Sequence, residues 1–420
     1  MDKIVIQGGQ KLKGKVRISG SKNAALPLMA AGILATGNML LHNVPELRDI
    51  VTLSKLLEGL GLKISTWGNR VKIQTLKFKS HIAPYELVKT MRASVLVLGP
   101  LLARLGKAKV SLPGGCAIGA RPIDQHLKAL EAMGAKIKIE RGYVEAECVK
   151  LKGANIVFDM VTVTGTENIL MAACLAEGTT VLENAASEPE VIDLVQLLVK
   201  MGAKIEGAGT SRIVVEGVKE LQGAEYSVMP DRIEAGTFMI AGAMTQGEIL
   251  IEGMILDHVR ALVHKLEESG TKIEQLPKGI VKVTGPKKIK SVDIITAPYP
   301  GFATDFQAQF MALMCLADSV STTTETIFEN RYMHVGELIR MGADIKTDGN
   351  RAIVKGLSKL SGAPIMATDL RASACLVLAG LAAEDITEIS RVYHIDRGYE
   401  KIEKKFRKLG AKIKRVKLRY

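Results

Sequence analysis

The chain has 420 residues, 47% apolar but only 4% aromatic, and a formal net charge of +13. That length holds two domains or one large one, with cores of Leu, Ile, Val, Ala and Met. The charge points to anionic partners, but neither zinc-finger spacing nor an aromatic RNA-binding pattern accompanies it, which argues against nucleic acid.

The opening MDKIVIQGG alternates like a strand and lacks the basic and apolar regions of a targeting signal. It leads into SGSKNAALPLMAAGILATG, a helix with small apolar residues on every face, entered through Lys22 and Asn23. Such a helix packs on several sides and is buried. LEGLGLKI follows, an amphipathic helix ended by Gly61 and turned directly into a strand.

The same pair of signals then recurs five times. The second buried helix, MRASVLVLGPLLAR, enters through Arg92, and the surface helix LEAMGAKI ends at Gly134. TENILMAACLAEGTT, entered through Thr164-Gly165-Thr166, pairs with LVKMGAKI and Gly202. EAGTFMIAGAMTQG, entered through Asp231-Arg232, pairs with LEESGTKI and Gly270. DFQAQFMALMCLAD, entered through Thr304-Asp305, pairs with LIRMGADI and Gly342. RASACLVLAGLAAED, entered through Asp369-Leu370-Arg371, pairs with FRKLGAKI and Gly410.

Six units of roughly 70 residues thus account for the chain, each reading strand, buried helix, strand, surface helix, strand. That alternation predicts an α/β class with parallel pairing. Helix N-termini attract anions, and Lys or Arg stands at four of the six entries, so the entries are expected to converge on anionic ligands. No uncharged apolar run reaches membrane-span length, so no membrane insertion is expected. Five cysteines without framework spacing fit a reducing cytoplasm. Cys174, Cys315 and Cys375 lie in apolar helices and read as buried packing residues. Cys116 differs: SLPGGCAIGARPIDQH sets it in a glycine loop, where a thiol is free to react.

These motifs, with MPDRIEAGTF, ATDFQAQF, ENRYMHVGEL and TDLRASACLVLAG in this order, resemble the enolpyruvyl transferases over the full length. Within that family the Gly-Gly-Cys loop resembles the members that act on UDP-N-acetylglucosamine. The resemblance implies two inside-out α/β barrels of three units each: residues 22–229 with the cysteine loop, and 1–21 with 230–420. It implies that the six helix entries face one cleft between the two. The implied reaction moves the enolpyruvyl group of phosphoenolpyruvate to the sugar 3-hydroxyl and releases phosphate, the first committed step of peptidoglycan synthesis. Neither metal nor cofactor is implied.

The resemblance makes Cys116, Asp305, Lys22 and Arg397 catalytic, with Cys116 linked to proton donation and to alkylation by fosfomycin. Lys22, Arg121 and Arg397 hold the phosphate of phosphoenolpyruvate, Arg331 and Arg371 its carboxylate, with Asn23 nearby. Asn23, Arg92, Arg121, Pro122, Ile123, Asp124, Gln125, Thr162, Val163, Thr164, Asp305 and Ile327 surround the UDP-sugar. Asp305 is the expected base for the 3-hydroxyl. Asp231, Glu329, Asp369 and His394 support the arginines, relay protons, or serve only as structural pairs. Two rivals fare worse: the shikimate-pathway enolpyruvyl transferase lacks the Gly-Gly-Cys loop, and an RNA-binding protein has no use for Cys116 or Asp305.

Overall fold

The computed structural model describes residues 2–75, 77–89, 91–112 and 123–417. The described chain divides into two compact units, one holding residues 20–112 and 123–229, the other 2–19 and 230–417.

All six repeat glycines adopt the left-handed conformation, with φ of 110° at Gly61, 92° at Gly134, 107° at Gly202, 93° at Gly270, 92° at Gly342 and 89° at Gly410. The residue after each glycine donates to the carbonyl five residues back, as in Leu62 to Leu57 at 3.1 Å and Ala203 to Leu198 at 2.9 Å. The accepting residues, Leu57, Leu130, Leu198, Leu266, Leu338 and Phe406, are all wholly buried. One residue pattern therefore caps the helix, anchors its last turn in the core and launches the next strand.

The small-residue helices are the centre of each unit. Lys22–Ala31, Leu98–Leu105 and Val163–Ala173 belong to one, and Arg232–Met244, Thr304–Met314 and Leu370–Ala382 to the other. Every side chain from Phe306 to Met314 and from Arg371 to Leu381 is buried. Small residues permit this proximity: a Cβ on Gly236 would lie 2.3 Å from the Phe306 ring, and one on Gly99 2.4 Å from the Asn168 carbonyl oxygen. Three sheets surround the helices of each unit, so each is an inside-out α/β barrel. Among the described residues no helix is long and apolar enough to cross a membrane.

The expectation of parallel pairing is only partly met. Each sheet joins parallel to antiparallel pairs, as in Ile294–Ile295, Val320–Thr324, Arg351–Lys355 and Asp344–Asp348 in that order. The cause is a fourth strand: the strand after each surface helix turns straight back, and a tight turn can only make an antiparallel pair. In the sixth sheet that partner comes from the other end of the chain. Asp2–Gln7 lies between Ile386–Ser390 and Lys412–Lys417, with Ile6 opposite Thr387 on one side and Ile413 on the other. Lys13–Arg17 then runs parallel to Glu248–Glu252 as the edge of the fourth sheet. In the other unit Glu225–Ser227 returns beside Ala35–His42.

Two kinds of glycine should be separable by unfolding. Nothing lies within 4 Å of a Cβ placed on Gly202, so Gly202→Ala should lose only the left-handed preference, about 1–2 kcal/mol. Gly99→Ala drives a methyl into backbone and should cost more. Urea titrations of both variants measure the difference; equal losses would contradict this account.

Candidate functional site

In the unit of residues 2–19 and 230–417, the start of helix Thr304–Met314 carries a cluster of buried charges. Asp305 Oδ1 accepts from Arg331 Nη2 at 3.0 Å, and Oδ2 accepts from Arg371 Nη2 at 2.8 Å. The two arginine side chains are only 3% and 6% exposed, whereas Asp305 is 27% exposed. Burial disfavours the charge on Arg371, but Asp305, Tyr399 and Asp231 outweigh it and hold the guanidinium above its ordinary range. Arg331 stacks over Phe328, and Arg371 over Tyr399, each at 5.6 Å.

Local structure fixes each partner. Asp369 caps the helix Leu370–Ala382 by accepting from the Arg371 and Ala372 N–H groups at 2.8 and 3.0 Å. Tyr399 is braced from below, its hydroxyl bonding to Thr237 at 2.9 Å. Glu325, which the sequence reading missed, ties three segments together. It accepts from Thr304 Oγ1 at 2.9 Å, from Thr296 Oγ1 at 3.0 Å, and from the Ile327 and Phe328 N–H groups at 2.8 and 3.2 Å. This turns the chain after Val320–Thr324 toward Arg331. An acid closing a run of threonines gives no sequence signal beyond its place at a strand end.

Arg397 ends the short 3-10 helix Val392–Arg397 and is half-buried. Burial lowers the affinity of His394 for a proton, and Arg397 lowers it further, against the opposing pull of Asp369. His334, three residues beyond Arg331, is wholly enclosed and pushed down to about 4, first by burial, with Asp369 opposing. It too went unnoticed in the sequence. Glu329 is exposed.

In the other unit, Lys22 Nζ lies 3.4 Å from Asp49 Oδ2, with both side chains largely buried. Asn23 follows Lys22 in the first turn and is half-buried. Arg92 opens a 3-10 segment, Arg92–Val97, and not the α-helix expected there; the α-helix starts at Leu98. Thr162 caps Val163–Ala173 by accepting from the Gly165 N–H at 3.2 Å, and Thr164 lies in the first turn. Gln125, in Asp124–Ala132, bonds through its amide to both backbone groups of Met160 at 3.3 Å, which places Ile123–Gln125 beside the segment leading to Thr162. Cys116, Arg121 and Pro122 lie outside the described residues.

The helix entries differ from the expectation of open anion sites. Ser21, Thr162, Asp231 and Asp369 each cap their own helix, so those N–H groups already have internal acceptors. The positive charge at these entries is carried by Lys and Arg side chains. Among the cysteines, burial pushes the Cys174 and Cys315 thiols up to about 12, as suits packing residues.

Barrels of buried helices with charged entries, and a carboxylate bridging two buried guanidinium groups, define the enolpyruvyl transferase class. The family model described as EPSP synthase (3-phosphoshikimate 1-carboxyvinyltransferase) matches residues 6–406, and the chain belongs to that family. The UDP-N-acetylglucosamine 1-carboxyvinyltransferase of Geotalea uraniireducens (strain Rf4) is 63% identical over 416 residues, covering 99% of this chain and 100% of that protein. The protein of the same name from Trichlorobacter lovleyi is 62% identical over 417 residues, with 99% of each chain covered. Among solved structures, the enolpyruvyl transferase NikO from Streptomyces tendae matches with a TM-score of 0.89 at 24% identity, over 99% of both chains, which speaks for the fold.

One buried acid gives a test of the electrostatics. Glu167 is enclosed, and burial, then Glu190 and Glu188, hold its carboxyl well above the usual range. Its proton is therefore kept on folding, a contribution present below the ordinary value of 4.5 and lost as pH rises. Glu167→Gln should melt higher than the parent at about pH 8. The gap should close as pH falls toward 4.5, and a gap independent of pH would contradict the assignment.

Proposed function

We propose that the chain transfers the enolpyruvyl group of phosphoenolpyruvate to the 3-hydroxyl of UDP-N-acetylglucosamine and releases phosphate. The observation that carries this reading is identity of 62–63% over essentially the whole length to proteins of that named activity. The Asp305 constellation supplies the matching chemistry: buried guanidinium groups suited to a carboxylate, with an acid among them. The reaction would open peptidoglycan synthesis in the cytoplasm.

Addition requires a proton on C3 of phosphoenolpyruvate while the sugar oxygen attacks C2; elimination then removes that proton as phosphate leaves. Cys116 is the proposed acid at carbon. Asp305 is the proposed base for the hydroxyl. Arg331 and Arg371 suit the carboxylate because planar guanidinium groups match its two oxygens. Lys22, Arg121 and Arg397 would hold the phosphate and its growing charge. Asn23 would lie near both substrates. Arg92, Ile123 to Gln125, Pro122, Thr162 to Thr164 and Ile327 would contact the nucleotide sugar.

Purified protein should release phosphate from phosphoenolpyruvate with UDP-N-acetylglucosamine, and not with 3-phosphoshikimate; the reverse preference would overturn the reading. Carbon protonation needs an acid but not sulfur, so Cys116→Asp should stay active and resist fosfomycin. Cys116→Ala should lose about 10²-fold or more in turnover. Mass spectrometry should find one fosfomycin adduct, on Cys116.

A further inference from the structure

A carboxylate whose two oxygens are both held by guanidinium donors has little freedom to accept a proton from a sugar hydroxyl. Asp305 is in that state, bonded to Arg331 at 3.0 Å and to Arg371 at 2.8 Å. Those are the groups assigned above to the carboxylate of phosphoenolpyruvate, so the proposed base and the proposed substrate group compete for one clamp. We propose that Asp305 is a placeholder: it occupies the clamp in the substrate-free enzyme, and the incoming carboxylate releases it to act on the hydroxyl. This rests on the reading under Proposed function.

Two further observations support an exchange over a fixed structural pair. Among the described residues, the buried Arg331 Nε and Arg371 Nη1 have no hydrogen-bond partner, so each guanidinium keeps an unused donor after binding Asp305. Buried donors of this kind cost stability unless something fills them, and a second carboxylate would. Asp305 is also the most exposed of the three and sits in the first turn of its helix, so it is the member that can turn away. No bond is made or broken in this exchange; two carboxylates trade the same N–H donors. Its consequence is that the base would become available only when phosphoenolpyruvate is bound, whichever substrate enters first.

Calorimetric titration of the full chain separates this from a base that merely repels anions. Asp305→Asn removes the competing charge and should bind phosphoenolpyruvate about tenfold more tightly than the parent, since charge-assisted bonds are the strong ones. Propyl phosphate, which keeps the phosphate but lacks the carboxylate, should bind both proteins alike. Asp305→Ser, too short to reach either arginine, should show the same contrast if the asparagine variant folds poorly. Equal tightening for both ligands, or none for phosphoenolpyruvate, would overturn the placeholder while leaving parent turnover intact. A parent that neither binds nor consumes phosphoenolpyruvate would overturn the functional reading and the placeholder together.

Discussion

Two guanidinium groups stand almost wholly out of water in one unit of this protein, and a single carboxylate faces both. Removing cations from water is costly unless an anion and well-directed hydrogen bonds accompany them. Asp305 is that anion, and much of its surroundings holds it and its partners in register. Glu325 fixes the entry of the Asp305 helix and the turn that delivers Arg331. Asp369 sets the start of the helix bearing Arg371, and Tyr399, held by Thr237 from a third central helix, forms the floor. Residues from three repeats thus converge on one pair of ion pairs.

Why the polar chemistry collects at helix entries follows from the burial of the helices. A helix packed on all sides has no solvated face on which charge can stand, so charged side chains are restricted to its ends. Four of the six entries spend a Ser, Thr or Asp on closing the helix's own N–H groups. Lys22, Arg232 and Arg371 stand beside three of these caps and are not needed to satisfy the backbone. The helix end is then a rigid mount, and its charge comes from the side chain placed on it.

The parts legible in the sequence are those where one residue type carries an exclusive physical demand. A glycine after an amphipathic run is required where φ is positive, and all six glycines picked on that ground have it. Small residues on every face forecast buried helices, and charges against such helices forecast Asp305 and Arg371. What escaped was set by distance along the chain or by neutrality. The fourth strand of the sixth sheet is Asp2–Gln7, more than 370 residues from the strands it pairs with, a separation local patterning cannot bridge. Glu325 and His334 matter through what surrounds them, and a strand-end acid or a loop histidine looks ordinary until its partners are known. The alternation of each hairpin strand merges with that of the strand before it, so the antiparallel half of each sheet is not legible while the parallel half is.

The same reasoning explains why the fold persists where sequence identity is low. NikO shares 24% of its residues with this chain yet matches with a TM-score of 0.89. Apart from the glycines with positive φ, the constraints that build the barrel are permissive at each position: a small residue where helices touch, an apolar side chain at the anchor. Many residues meet most of them, so sequences drift while the backbone stays. Constraints at the entries are of the opposite kind. A guanidinium that donates to Asp305 while stacked on an aromatic ring cannot become lysine without losing its planar fork. The three like repeats of each unit therefore provide equivalent mounts, which differ by the one or two polar residues at each helix entry.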